Sequence, residues 1–275
     1  MLGTTTKRIW ILLLGLVLAS ACSARPSGAS ASGRIVNFTN CQLPADQGRN
    51  SLQGSWASIP VPVVFDNDFY LTDNGEILPA LRSATNTWNG WANLRGRSGF
   101  SITNDGTGTE AGREIPALSD CSQATYTSQV TDVVGIWKIT ASGTHQNIRS
   151  SCAVTSTGAP GRLLPTGVQG QTDWITLGGR ITGSSILLNF EEFNAPGKMR
   201  VDVESLLLHE LGHVLGLLHS CNGSTADSTD GTSAPACNAG LNSQYLDAVM
   251  FPFLEVNLIR RKLGQNDYNR INCLY

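Results

Sequence analysis

Residues 206–220 read LLLHELGHVLGLLHS, and no other stretch restricts the fold as tightly. Their apolar spacing marks 201–218 as the strongest helix signal in the chain. His209 and His213 are four apart, so on a helix they lie one above the other on one face. Gly216 permits a positive φ, which lets the chain leave the helix and turn sharply. That turn can bring His219 back beside the other two. Any fold for this chain must bury the leucines of this helix and still aim His209, His213 and His219 at one point.

Such an arrangement suits a metal ion. Two imidazoles at this spacing can bind one zinc, and a third completes a set of three protein ligands. Three ligands leave a position open for water, the mark of a catalytic site. Glu210 sits beside the first ligand, where it can reach water at the metal rather than the metal itself. The full pattern H-E-x-x-H-x-x-G-x-x-H is expected by chance only on the order of a few times per million chains of this composition. A buried amphipathic helix with incidental histidines does not call for that spacing with a glutamate between.

The rest of the chain supplies a sheet. Ile59–Asp66 is β-branched and reads as a strand. Leu78, Leu81, Ala84, Trp88 and Trp91 recur at helical spacing and predict a helix over 75–92, its tryptophan pair packed in the core. Phe100–Thr103 is a short strand, Asp132–Thr140 a stronger one, and Asp173–Leu177 and Arg180–Phe190 two more. Residues 104–125, 141–172 and 220–245 are loop-like. Glu255–Leu263 and Asn266–Cys273 read as helices. Strand, helix, several strands and then helices indicate an α+β domain built on one sheet.

The N-terminus reads MLGTTTKRIWILLLGLVLASAC. Lys7 and Arg8 precede an apolar stretch, Ile9–Leu18, too short to span a bilayer comfortably, so residues 1–21 are an export signal. Two processing routes remain open. Ala19-Ser20-Ala21 suits ordinary signal peptidase. Leu18 through Cys22 also resembles a bacterial lipobox, which would make Cys22 a lipid-attachment site. Residues 22–57 then hold that cysteine, a small-residue tether (Ser23–Gly33) and an N-terminal extension. Residues 58–275 are left as the folded domain. Setting Cys22 aside leaves six cysteines of seven, an even number that in an exported chain favours disulfides. The pairing preferred among the alternatives is Cys221–Cys237, Cys121–Cys152 and Cys41–Cys273. A formal charge of −2 leaves no basic excess for nucleic acid.

The zinc pattern resembles that of the metzincin metalloendopeptidases, and Ala248-Val249-Met250-Phe251-Pro252 resembles their Met-turn, which passes beneath the zinc as an apolar floor. Ser220, Asp202–Ser205, the run Arg180–Phe190 and the ending Leu263–Tyr275 are similar to the matrixin branch. The resemblance covers roughly 58–275 and is specific over 202–220 and 248–252. It implies a zincin fold: one twisted mixed sheet, an active-site helix and a C-terminal helix. It also implies that substrate lies along the 184–190 strand, with Leu187, Phe251, Pro252 and Phe253 lining the pocket.

There are departures from that family. The stretch from His219 to Met250 is long, and the Cys221–Cys237 loop looks like an insertion. His145 alone cannot build a second zinc site. Asp227–Gly231 could hold calcium, although a solvated turn accounts for it better. The propeptide thiol motif is missing, and Cys41-Gln42-Leu43-Pro44 is a poor substitute. The resulting expectation is a monomeric zinc endopeptidase acting on polypeptides, exported to the cell envelope or beyond, touching membrane only through a lipid at Cys22. Two alternatives stand beside it: an inactive surface-binding lipoprotein on the same scaffold, and a zinc amidase acting on non-protein substrates.

Overall fold

The computed structural model describes residues 20–21, 23–25, 41, 43, 51–65, 77–97, 100–103, 130–139, 153–154, 160–161, 168–189, 202–222, 234–238, 240–255 and 258–275. Its strands are β1 (Ser20–Ala21), β2 (Ser23–Arg25), β3 (Val61–Phe65), β4 (Ile102–Thr103), β5 (Val134–Ile139), β6 (Ala153–Val154), β7 (Pro160–Gly161), β8 (Gly170–Leu177), β9 (Arg180–Asn189) and β10 (Phe253–Leu254). Its helices are α1 (Ile77–Leu94), α2 (Val203–Val214), α3 (Ser243–Leu246) and α4 (Gln265–Ile271). The class is α+β.

One mixed sheet organises the chain in the order β2-β8-β9-β5-β3-β4. Strands β4, β3, β5 and β9 run parallel, and β8 returns antiparallel to β9 through the turn at Gly178-Gly179. The short β2 adds itself parallel to β8 through Ser23↔Gln171 and Arg25↔Asp173. Alternation along each strand builds the core. Val61, Val63 and Phe65 of β3, Ile136 of β5, and Ile186 and Leu188 of β9 share one cluster with both long helices. Leu81, Ala84, Trp88 and Trp91 of α1 are all buried there, as their spacing predicts. The Trp88 indole donates to the Leu208 carbonyl, 3.1 Å, and ties α1 to α2.

Four expectations need correcting. The helix predicted over 201–218 stops at Val214, because Gly216 turns at φ 91° and residues beyond it pair elsewhere. Gln53 N donates to Gly216 O, and Leu218 N donates to Ser51 O. Leu52 and Trp56 are therefore core residues, so the extension before residue 58 packs with the domain that follows it. The helix expected over 255–263 does not form at 258–263; there Arg260 bonds the carbonyls of Phe253 and Leu246 and so fixes a non-helical path. Finally, the 184–190 strand cannot receive substrate on an edge, because β9 is flanked by β5 and β8.

Two disulfides form as expected, Cys41–Cys273 and Cys221–Cys237. Both fit an oxidising, extracellular setting. The first also takes Cys41 out of play as a thiol that could block a metal. Cys22, Cys121, Cys152, His145 and Asp227–Gly231 lie outside the described residues. No helix among the described residues is long and apolar enough to cross a membrane.

Candidate metal centre

Helix α2 begins at a capped end. Asp202 accepts from Ser205 N at 2.8 Å, and its carboxylate also meets Arg261. Such a cap satisfies a donor that the first turn otherwise leaves without a partner. The helix is buried along its length from Ser205 to Val214, against the sheet on one side and α1 on another. A helix buried all round needs a reason for each polar side chain it carries. Ser205 spends its hydroxyl on Asp202 at 2.6 Å, which leaves His209, Glu210 and His213, at most 1% exposed.

The three histidines converge. Their ligand nitrogens lie within 4.8 Å of one another, and His213 Nε2 is 3.2 Å from His219 Nε2. Backbone carbonyls fix two of the rings. His209 Nδ1 lies 2.7 Å from Val249 O, and His213 Nδ1 lies 2.7 Å from Leu217 O. A carbonyl can only accept, so each Nδ1 carries a proton, and in the neutral ring each Nε2 then presents a lone pair inward. Metal-binding histidines are oriented in this way by their outer partners. His209 Nε2 is buried and has no hydrogen-bond partner. A buried acceptor left so is costly unless something else fills its place. The donor set fits a metal ion.

Burial sets the charge state. It pulls His209 down to about 4 and His213 and His219 well below their ordinary value, each helped by the positive charge of nearby Arg270. The rings are therefore neutral near pH 7, the form in which imidazole binds metal.

Two supporting residues escaped the sequence reading. Asp267 on α4 accepts from Val249 N at 2.8 Å, Met250 N at 3.2 Å and Gly264 N at 2.8 Å. It thereby holds the carbonyl of Val249 against His209. Arg270, one turn on, donates to Leu218 O at 2.7 Å and His219 O at 3.2 Å. One short helix thus clamps both segments that support the histidines. A carboxylate and a guanidinium three apart were the available signal. Replacing Asp267 with Asn leaves amide donors and a buried arginine poorly matched. Asp267→Asn is expected to lower unfolding free energy by about 3 kcal/mol, read as an earlier denaturant midpoint. An unchanged midpoint would show that the clamp is dispensable.

Met250 is fully buried, with its thioether pressed against Gly212, where a Cβ would collide with Sδ. Ser220 N donates to Met250 O at 2.7 Å, which joins the third histidine's segment to this floor. Pro252 is buried, and Phe251 and Phe253 are half-buried with ring centroids 5.6 Å apart. Leu187 stands apart. Strand alternation puts Ile186 and Leu188 toward the helices and Leu187 on the opposite face, away from the histidines.

Glu210 faces strand β8. Thr172 Oγ1 donates to Glu210 Oε2 at 2.6 Å, and two residues along, the Trp174 indole donates to His213 O at 2.6 Å. Ser20–Ala21 pair antiparallel with Phe253–Leu254, and Ser23–Arg25 pair parallel with β8. No family model matches the chain, and no curated protein matches it.

Proposed function

We propose that this chain is an exported zinc-dependent endopeptidase of the metzincin kind. The observation that carries the reading is the convergence of three buried imidazoles next to one buried glutamate. An all-nitrogen set of three suits zinc better than calcium or magnesium, which favour oxygen. When bound, zinc supplies a Lewis acid that acidifies a water and polarises the scissile carbonyl.

The chain's own residues do the rest. His209, His213 and His219 would hold the ion. Glu210 takes a proton from the attacking water as its oxygen bonds to the carbonyl carbon. Glu210 then gives that proton to the leaving nitrogen as the C–N bond breaks. Met250 and its turn support His209 from beneath. Phe251 and Pro252 of that turn, with Phe253 after it, wall the pocket beyond the scissile bond. An extended peptide adds to the outer edge of β8, the strand that carries Thr172 beside Glu210.

Residues 23–25 pair along that same edge, so they and a peptide compete for it. Deleting residues 23–33 is expected to lower KM for an extended peptide and leave kcat unchanged, since apparent affinity scales with the fraction of open sites. An unmoved KM would place peptide binding elsewhere. Ser20–Ala21 belong to the predicted export signal, so their pairing describes the unprocessed chain.

The test is incubation of the zinc-loaded protein with an unfolded polypeptide, with fragments read by mass spectrometry. Internal cleavage that stops on chelation and returns with zinc supports the reading. Bound zinc with no fragments favours a binding protein on this scaffold.

A further inference from the structure

Strand β8 presents Gly170, Thr172 and Trp174 to helix α2, because alternate residues share a face. Trp174 and Thr172 spend their polar atoms on the helix, at His213 O and at the Glu210 carboxylate. Thr172 is fully buried, and its hydroxyl lies 2.6 Å from Glu210 Oε2. That length is a direct, close O–H···O hydrogen bond, with the hydroxyl as donor and the carboxylate as acceptor. The hydroxyl also lies 3.4 Å from Glu210 O, a weaker contact that leaves the carboxylate as its main acceptor. Branching at Cβ restricts the threonine χ1, so the donor is aimed rather than free to swing.

Gly170 completes the seat. A Cβ there would stand 2.5 Å from Glu210 Oε1, 2.9 Å from Cδ and 3.1 Å from Cγ. Only a glycine leaves room for the carboxylate in this position. One strand face thus bounds both oxygens, one by a hydroxyl and one by bare backbone.

We propose that Thr172 is a positioning residue for Glu210, with Gly170 supplying the space, so that the edge strand expected to receive substrate also holds the base. The inference rests on reading Glu210 as general base. It adds that the base is registered to the substrate-binding strand rather than to the helix alone. Helix α2 fixes the Glu210 backbone, but a glutamate side chain retains several rotamers. The β8 face selects one of them.

Three variants test this: Thr172→Val, which keeps the shape and loses the hydroxyl, Thr172→Ser, which keeps the hydroxyl, and Gly170→Ala. For Thr172→Val, kcat is expected to fall about 10–100-fold, the usual cost of losing an outer partner. KM and bound zinc should stay within about twofold of wild type. Thr172→Ser should recover most of the loss, and Gly170→Ala should share it. A crystal structure of metal-free Thr172→Val supplies a readout that needs no turnover. Glu210 is expected to leave its place or occupy more than one rotamer there, and to stay in Thr172→Ser. A Glu210 side chain that keeps its position without the hydroxyl would overturn the inference, whether or not the protein hydrolyses anything. Normal kcat in Thr172→Val, beside a dead Glu210→Ala, would overturn it too and leave the function proposed above intact.

Discussion

Glu210→Ala is expected to hydrolyse an unfolded polypeptide about 10²–10⁴-fold more slowly than wild type, the range that a positioned general base contributes. Zinc binding should remain, because His209, His213 and His219, and the carbonyls beside the first two, are unchanged. The side chain is fully buried, its Oε2 accepting from Thr172. Truncation leaves the threonine hydroxyl to seek another acceptor, and Glu210 O lies 3.4 Å away. The fold should therefore survive. Parallel measurement of fragment yield and bound zinc separates the base from the metal site. Near-normal turnover in Glu210→Ala would remove Glu210 from the chemistry.

The second large effect belongs to His213→Ala. His213 is fully buried at the centre of the triad, its Nδ1 on Leu217 O and its Nε2 3.2 Å from His219 Nε2. Its loss removes a direct ligand, so zinc affinity should drop by more than the roughly 10–100-fold that an outer partner costs. The consequence is measurable without any substrate. A ligand that binds only the native state stabilises it by about 4 kcal/mol at a thousandfold excess over Kd. Wild type should show that zinc-dependent rise in unfolding free energy, and His213→Ala should show less than about 1.4 kcal/mol at the same zinc concentration, because a loss beyond 100-fold leaves zinc under tenfold above Kd. A full rise in the variant would exclude His213 as a ligand.

Much of this was legible in the sequence because it is local. The helix, the i,i+4 histidines and the Gly216 turn lie within one short segment and follow from backbone geometry. The α1 stripe of Leu81, Ala84, Trp88 and Trp91 was legible for the same reason. Pairings between distant segments were not legible. Residues 51–54 carry no period, yet they hydrogen-bond to 216–218 and bury Leu52 completely. Residues 258–263 look helical by composition, but Arg260 spends its guanidinium on the carbonyls of Phe253 and Leu246. The Thr172–Glu210 contact joins positions 38 apart and leaves no mark in spacing. The pattern located the candidate ligands and the candidate base, and only tertiary structure located what holds them in place.

Everything proposed for this site requires His209, His213 and His219 to share a single zinc ion. X-ray absorption at the zinc edge of the metal-loaded protein tests it most directly. The predicted spectrum has one zinc per chain and three imidazole nitrogens at about 2.0–2.1 Å. Sulfur scattering near 2.3 Å, or a shell without imidazole, would contradict it.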